Sequence, residues 1–170
     1  MSFTTDHLVF IDFEASGLDA NSWPVEVGLT IIAGGQLQTW SSLIKPEPDW
    51  PARSWDARAE QIHGISRTDL DGAPAAADVA RELLARIGQR SVVSDAPGFD
   101  WNWCFKLVDV IDAVPPRFQD VDRIVKMACK GQMGAMLVAF SHLSDAPREH
   151  RVGADTERMA TAFVKGMSML

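Results

Sequence analysis

The stretch that most constrains the fold runs from residue 10 to residue 18 and reads Phe-Ile-Asp-Phe-Glu-Ala-Ser-Gly-Leu. Asp12 and Glu14 interrupt an apolar run that otherwise predicts a buried strand. Because side chains alternate along a strand, both carboxylates leave the same face, roughly 7 Å apart at Cα. Two like charges side by side in a core are costly unless something neutralises them. The pair fits either an edge strand protected by charge or a site for a divalent cation.

Two further acids lie in settings that extend this pattern. Asp100 follows Ser-Asp-Ala-Pro-Gly-Phe, and Asp155 follows His-Arg-Val-Gly-Ala. Taken alone, Asp155 also fits a carboxylate that stabilises the start of a helix. Four carboxylates from separate elements can surround two divalent cations, and ligation by oxygen alone favours Mg²⁺ or Mn²⁺. Two such ions are suited to in-line displacement at phosphorus, so we expect them as cofactors.

His150 precedes Asp155 by five residues, which does not place both side chains on one face of a continuous helix. Gly153 lies between them and favours a transition from a loop to a helix. His150 would then hang over the site from the loop, where an imidazole can act as a general base at neutral pH. A lone loop histidine is otherwise a solvated surface residue.

Composition limits the class of protein and the kind of partner. At 170 residues, with 46% hydrophobic and 23% charged residues, the chain fits one soluble globular domain over residues 1–170. The net charge of −7 argues against broad binding to long duplex nucleic acid, which depends on many phosphate contacts. The first seven residues lack the features of a secretory signal and no apolar run could cross a bilayer, so we expect a cytoplasmic protein without membrane contact. Cys104 and Cys129 stand alone and predict buried thiols.

Hydrophobic periodicity predicts an α/β domain with a mixed sheet, because three early strands precede alternating helices and a short strand. The predicted strands cover residues 8–13, 25–33, 36–44 and 91–94. The predicted helices cover residues 57–63, 75–87, 100–111, 117–127, 136–143 and 156–169. Gly34-Gly35 indicates a hairpin turn.

The order of these motifs resembles the DEDD superfamily of 3′ to 5′ exonucleases, in its His-containing (DEDDh) branch, on a ribonuclease H-like fold. Residues 10–18 resemble the first motif, Phe99-Asp100 the core of the second, and residues 150–155 the third. Residues 25–28, Val-Glu-Val-Gly, are similar to the second strand of the family, and residues 62–66, Ile-His-Gly-Ile-Ser, to its Val-His-Gly-Ile-Thr segment. The resemblance spans almost the entire chain.

The resemblance implies a metal-dependent exonuclease that releases 5′-mononucleotides from the 3′ end of single-stranded or short nucleic acid. The metal ligands it implies are Asp12, Glu14, Asp100 and Asp155, with His150 as the general base. It also implies that backbone groups near Glu14 and Ala15 hold the terminal 3′ hydroxyl and that Leu18 wedges against the last bases.

Three positions depart from the pattern of the family. Asp95 and Ala96 stand where the family often has His-Asn, and Ala15 stands where a Thr commonly follows the Glu of the first motif. These departures leave open the alternative of a catalytically weak module that binds nucleic acid or protein. The acidic charge and small size of the chain leave open another, a phosphodiesterase for very short oligoribonucleotides.

Several other residues have two interpretations. Phe99, Trp101 and Trp103 could stack on unpaired bases, although burial is the expectation for Phe99 and at least one Trp. His63 is expected to serve a turn. The last helix carries apolar residues that would pack internally or against a second copy in a homodimer. These residues are Met159, Ala162, Phe163 and Met167.

Overall fold

The computed structural model describes residues 5–146 and 148–170, and a five-stranded mixed sheet forms its centre. The strands are β1 (Leu8–Ala15), β2 (Pro24–Ala33), β3 (Gln36–Leu43), β4 (Ser91–Ser94) and β5 (Phe118–Asp120). Their order is β3-β2-β1-β4-β5, with β2 antiparallel to both β3 and β1, and β4 parallel to both β1 and β5. The α/β class with a mixed sheet is therefore confirmed. The first four residues of the N-terminal segment lie outside the described ranges.

Seven helices surround the sheet in the described ranges. They are α1 (Ala57–His63), α2 (Arg67–Asp71), α3 (Ala76–Ile87), α4 (Pro97–Asp109), α5 (Val121–Ala128), α6 (Met133–Asp145) and α7 (Val152–Met167). None of them combines the length and the apolar character that a membrane-spanning helix requires.

The hairpin between β2 and β3 forms where the sequence predicts it. Gly34 and Gly35 have φ of +58° and +77°, which is the backbone of the two-residue turn that suits twisted strands. Strand β1 continues to Ala15, two residues beyond the predicted end, so that both of its acids lie within the strand.

Four helical predictions need correction at their N-terminal ends. Helices α6 and α7 begin three and four residues before the predicted starts, at Met133 and Val152. Residues 118–120 of the predicted helix 117–127 form β5, because Val92 of β4 pairs with Phe118 in a parallel ladder. The side chain of Asp120 then accepts a hydrogen bond from the backbone N–H of Arg123 at 3.0 Å, which caps α5 and starts it only at Val121. Helix α4 begins at Pro97, three residues before the predicted start, since proline is well suited to the first position of a helix.

Helix α2 is absent from the sequence prediction because its five residues are too few for a periodic signal. The side chain of Ser66 accepts a hydrogen bond from the backbone N–H of Asp69, and the carboxylate of Asp69 accepts one from the backbone N–H of Ser66. This capping box stabilises the short helix.

The two faces of β1 explain how acids come to lie inside the molecule. Val9, Ile11 and Phe13 alternate onto the face that packs against α3 and α4. Leu8 and Phe10 point to the opposite face, where α5, α6 and α7 pack. Asp12 and Glu14 continue this second row, so their carboxylates leave β1 on the side of α7.

Helix α7 packs by its apolar side against this face. Met159, Ala162 and Phe163 are buried, and the rings of Phe163 and Phe10 are 5.8 Å apart. Met167 is half-buried and packs against the same cluster, so internal packing involves all four apolar residues, while the homodimer stays a prediction. Cys104 and Cys129 are buried and unpaired, as predicted.

Candidate active site

The acids of the predicted motifs meet at one edge of the sheet. Strands β1 and β4 run parallel, with Phe10 opposite Val93, so their carboxyl ends lie side by side. Asp12 and Glu14 lie at the end of β1, and Asp100 lies in the first turn of α4, just after β4. Ligand sites in α/β sheets typically form at this edge.

Helix α7 reaches the same edge because Gly28 of β2 leaves space for it. Gly28 lies opposite Asp12 in the antiparallel pair β1–β2. A Cβ atom at Gly28 would lie 2.6 Å from Cγ2 of Val152, at the start of α7, which is closer than side chains tolerate. The missing side chain thus lets the first turn of α7, with Asp155, approach the carboxylates of β1.

The ligand-bearing side chains form two groups of three. Glu14, His150 and Asp155 form one, which we call the histidine group, and one ligand atom from each lies within 4.8 Å of the others. Asp12, Asp95 and Asp100 form the other, the aspartate group, with the same spacing. The structure therefore brings all five predicted metal and catalytic residues to one place. It adds Asp95, which the sequence marked only as a departure from the family.

The pKa values of these carboxyl groups indicate that the site favours a bound cation. Burial, followed by the negative charges of Asp100 and Glu14, raises the pKa of Asp12 well above its usual value. Burial, followed by repulsion from Asp155, raises the pKa of Glu14 to about 8. Burial also raises the pKa of Asp100 to about 7, although a hydrogen bond from Ser94 opposes the shift. A nearby divalent cation would reverse these shifts, because it favours the ionised carboxylates.

Asp100 gives the most direct indication of a missing partner. Its side chain is buried, and Oδ2 accepts a hydrogen bond from the Ser94 hydroxyl. Its Oδ1 is also buried and makes no well-formed hydrogen bond within the described ranges, although the backbone of Phe13 interacts with the carboxylate. A buried carboxylate oxygen without a partner is costly, and a cation is a suitable partner. The oxygen-rich donor set thus fits Mg²⁺ or Mn²⁺.

His150 is held in an unusual backbone conformation. Its φ is +51°, in the left-handed region that costs a non-glycine residue roughly 1 kcal/mol. The next residue, Arg151, donates two hydrogen bonds to the buried carboxylate of Glu26, from Nε at 3.0 Å and from Nη2 at 2.7 Å. This bidentate pair anchors the loop on β2 and stabilises the position of His150.

A second arginine connects the two groups. Arg158 of α7 is buried, and its Nη2 donates a hydrogen bond to Oδ2 of Asp95 at 3.0 Å. Its Nε lies 3.4 Å from Oδ1 of Asp155. Arg148, which is largely exposed, contacts the same oxygen of Asp95 at 2.9 Å.

A cavity of about 520 Å³ opens beside the histidine group. Glu14, Ala15 and Leu18 line one side of it, and Ile62 and His63 of α1 line the other. Leu18 is 73% exposed, so its side chain is available for contact with a bound molecule. The three residues predicted to bind substrate therefore border one cavity next to the acids.

His63 serves a turn, as predicted, and also faces this cavity. Its Nδ1 accepts a hydrogen bond from the backbone N–H of Ile65 at 3.0 Å, which leaves the proton on Nε2 in the neutral ring. Nε2 is buried and makes no well-formed hydrogen bond in the described part of the chain, although the ring interacts with the backbone of Ala15. Burial lowers the pKa of His63, so the ring stays neutral.

The aromatic residues of α4 divide differently from the prediction. Trp103 is buried, stacks on Phe99, and donates a hydrogen bond to the hydroxyl of Ser22 at 2.9 Å. Phe99 is largely exposed, so the expectation of burial for Phe99 is wrong. Phe99 lies on the exposed side of the first turn of α4, whereas Asp100 in the same turn is buried. Trp101 is also exposed and stacks on Phe105.

Sequence reasoning missed the two arginine–carboxylate pairs. Glu26 gave a signal as an acid in an otherwise apolar strand, a position where a buried charge needs a partner. Arg158 gave a weaker one: it lies three residues after Asp155 and so on the same side of α7. Nothing local connected Arg158 to Asp95, which is 63 residues away.

Comparison with solved structures supports this fold across nearly the whole chain. The nuclease domain of 3′hExo, a DEDDh family member bound to rAMP, has a TM-score of 0.70 at 15% identity, covering 99% of this chain and 95% of that one. Exonuclease X in complex with 5′ overhanging duplex DNA has a TM-score of 0.64 at 19% identity, with coverage of 95% and 92%. A full-length 3′-exonuclease has a TM-score of 0.69 at 15% identity, covering 96% of this chain. The ribonuclease H-like fold is thus confirmed.

Some of these relatives are longer proteins. The chain spans 61% of the length of the full-length 3′-exonuclease and 39% of E. coli Exonuclease I in complex with a dA16 oligonucleotide. No curated protein matches the sequence significantly. The model of the RNase_T family, described as "Exonuclease", matches residues 9–163. The chain therefore belongs to this exonuclease family.

Proposed function

We propose that this nuclease is a metal-dependent 3′ to 5′ exonuclease of the His-containing branch. It would hydrolyse the terminal phosphodiester of single-stranded or short nucleic acid and release 5′-mononucleotides, with residues 1–170 acting as one catalytic domain in the cytoplasm. The observation that carries the proposal is the pair of three-residue groups at the ends of β1 and β4, beside a cavity. All five residues implied by the family pattern lie in these groups.

Asp12, Glu14, Asp100 and Asp155 would hold two divalent cations, Mg²⁺ or Mn²⁺. Such ions, when bound, activate water and stabilise the charge that develops on the leaving 3′ oxygen. The carboxylates supply the negative charge that retains the ions. The raised pKa values of Glu14 and Asp100 mean that these groups ionise fully at neutral pH only when a cation is near.

His150 would accept the proton of the attacking water. It belongs to the histidine group and also lines the cavity, so its ring lies between the acids and the space for substrate. The pair formed by Arg151 and Glu26 keeps the loop in place while the proton moves. A positioned general base contributes typically about 10²-fold to 10⁴-fold to a rate.

The cavity would hold the terminal nucleotide. The backbone near Glu14 and Ala15 would bind the 3′ hydroxyl, and the exposed side chain of Leu18 would pack against the last bases. The Nε2–H group of His63, whose interaction with the backbone of Ala15 is not a well-formed hydrogen bond, would offer a hydrogen bond to a bound nucleotide.

A preference for very short oligoribonucleotides is the second candidate. The net charge of −7 disfavours a long phosphate backbone, and a cavity of about 520 Å³ offers contacts to only a small part of a strand. Under this candidate the site and the chemistry stay the same, while the rate on dinucleotides exceeds the rate on longer strands.

The direct test is digestion of oligonucleotides labelled at the 5′ end, as DNA and as RNA, in Mn²⁺ with and without a chelator. We expect a ladder that shortens from the 3′ end and disappears with the chelator. The same strand with a blocked 3′ hydroxyl should resist digestion. Comparing the rate on dinucleotides with the rate on longer strands distinguishes the two candidate functions. Intact substrate with a mobility shift would instead identify a binding module.

A further inference from the structure

We propose that Arg158 is a positioning residue that orients the carboxylate of Asp155 for metal binding, and that Asp95 serves as the counter-ion that holds Arg158 in place. This inference rests on the proposed function, since it assigns Asp155 as a metal ligand. It concerns a chain of contacts that runs from Asp95 through Arg158 to Asp155.

The guanidinium of Arg158 is fixed by three contacts. Nη2 donates a hydrogen bond to Oδ2 of Asp95 at 3.0 Å, and Nη1 donates one to the backbone carbonyl of Leu143 at 2.9 Å. Nε lies 3.4 Å from Oδ1 of Asp155. Only 4% of the Arg158 side chain is exposed, so solvent does not compete for these donors. The planar fork therefore has one orientation, and Asp155 meets a donor with a fixed direction.

A purely structural reason for this arrangement is weak. Apolar residues that replace a buried ion pair are often neutral or stabilising, because both charges must be removed from water. A buried guanidinium on α7 can instead hold the carboxylate of Asp155 in one rotamer. Carboxylates that bind metal are commonly hydrogen-bonded by outer groups of this kind.

The position of Asp95 connects the two three-residue groups. Asp95 belongs to the aspartate group, Asp155 to the histidine group, and Arg158 contacts both. Asp95 is also the residue that stands where the family often has His. An acid at this position can neutralise Arg158, whereas a histidine offers no full negative charge. Arg148 contacts the same oxygen of Asp95 from the surface, and its exposure makes its contribution small.

The test compares wild type with Arg158→Met, Arg158→Lys, Asp95→Asn and the double variant Asp95→Asn/Arg158→Met. Affinity for Mn²⁺ is measured by calorimetry in the absence of substrate, together with the rise in Tm that Mn²⁺ causes, and with kcat and KM at saturating Mn²⁺. Arg81→Met is the matched control, because Arg81 pairs with Asp78 at the same i,i+3 spacing on the exposed side of α3.

We expect Arg158→Met to weaken Mn²⁺ binding by about 10-fold to 100-fold, which is typical of lost outer-shell hydrogen bonds to metal ligands. Arg158→Lys should recover part of this loss, since an ammonium keeps the charge without the fork. The double variant should bind Mn²⁺ no more weakly than Arg158→Met, because Asp95 acts through Arg158. Arg81→Met should bind Mn²⁺ like wild type.

Three results would overturn the inference. If the Arg158→Met variant has a lower Tm but binds Mn²⁺ with the affinity of wild type, the role of Arg158 is structural alone. Additive losses in the double variant would show that Asp95 acts independently of Arg158, and wild type that binds no Mn²⁺ would exclude the metal site itself. If Arg158→Met does not fold, Arg158→Lys and Asp95→Asn decide by the same measurements. Wild type that binds Mn²⁺ but cleaves no oligonucleotide would contradict the proposed function and leave the binding comparison intact.

Discussion

The histidine group and the aspartate group have similar dimensions but different surroundings. The histidine group borders the cavity, and its His150 comes from a loop anchored by the pair of Arg151 and Glu26. The aspartate group contains the fully buried Asp100, and buried Arg158 contacts its Asp95. If the proposed function holds, the histidine group would handle water and substrate at the cavity, and the aspartate group would retain charge.

Charge is compensated differently in the two groups. In the histidine group, Arg151 contacts Glu26, next to the group, and Arg158 contacts Asp155 at the longer distance of 3.4 Å. In the aspartate group, Arg158 contacts Asp95 more closely, at 3.0 Å. A cluster of buried acids can thus fold without metal, because part of its charge is already paired and part is protonated.

The largest effect should follow from a change within the aspartate group. Asp100→Ala should abolish turnover without unfolding the protein, because it removes a buried ligand that has no substitute nearby. Oligonucleotide digestion in Mg²⁺ measures the turnover, and a thermal melt measures whether the variant stays folded. Asp109→Ala, which alters an exposed acid on the same helix, is the control and should keep full activity. Full activity of Asp100→Ala would show that Asp100 is not a ligand.

A change in the histidine group should lower the rate of cleavage and leave the affinity for metal unchanged. His150→Gln should lower kcat by about 10²-fold to 10⁴-fold, the usual contribution of a general base, with little change in Mn²⁺ affinity. His142→Gln, on α6, is the matched control. If His150→Gln instead weakens Mn²⁺ binding and recovers its rate at high Mn²⁺, His150 is a ligand rather than a base.

A smaller loss of rate should follow when the ion pair that anchors the loop of the histidine group is weakened. Glu26→Gln removes the charge that holds Arg151, so the loop can displace His150 from its productive position. A displacement of about 1 Å can cost up to about 100-fold in rate, and kcat should fall within this limit while Mn²⁺ affinity stays constant. Glu82→Gln, which changes the surface partner of Arg86, is the control. An unchanged kcat for Glu26→Gln would show that the anchor does not position His150.

The smallest effect concerns stability rather than rate. The folded pKa values of Glu14, about 8, and Asp100, about 7, lie above the usual values of 4.5 and 3.8. The folded state therefore retains protons that the unfolded chain releases, so the free energy of unfolding should fall as the pH rises from about 5 to about 8. Urea denaturation in a chelator measures this slope. Mn²⁺ and the variant Glu14→Gln should each reduce it, and stability that rises over this range would contradict the pKa shifts.

Much of the fold could be predicted because its signals are local. The alternation around Asp12 and Glu14 specified a strand with two acids on one face, and Gly34-Gly35 specified the hairpin. The boundaries failed where a neighbour decided them. Residues 118–120 form a strand because β4 offers a partner, and Phe99 is exposed because α4 packs with Asp100 and Trp103 inward instead.

For the site, the sequence by itself determined which residue types were present: paired acids on β1, acids at the starts of two helices, and a histidine five residues before the last acid. Only the tertiary structure decided that they form two groups, that Asp95 joins one of them, and that Arg158 connects both. The physical reason is distance along the chain. Charge pairing and burial depend on neighbours in space, and the partners of Asp95 and Glu26 lie 63 and 125 residues away.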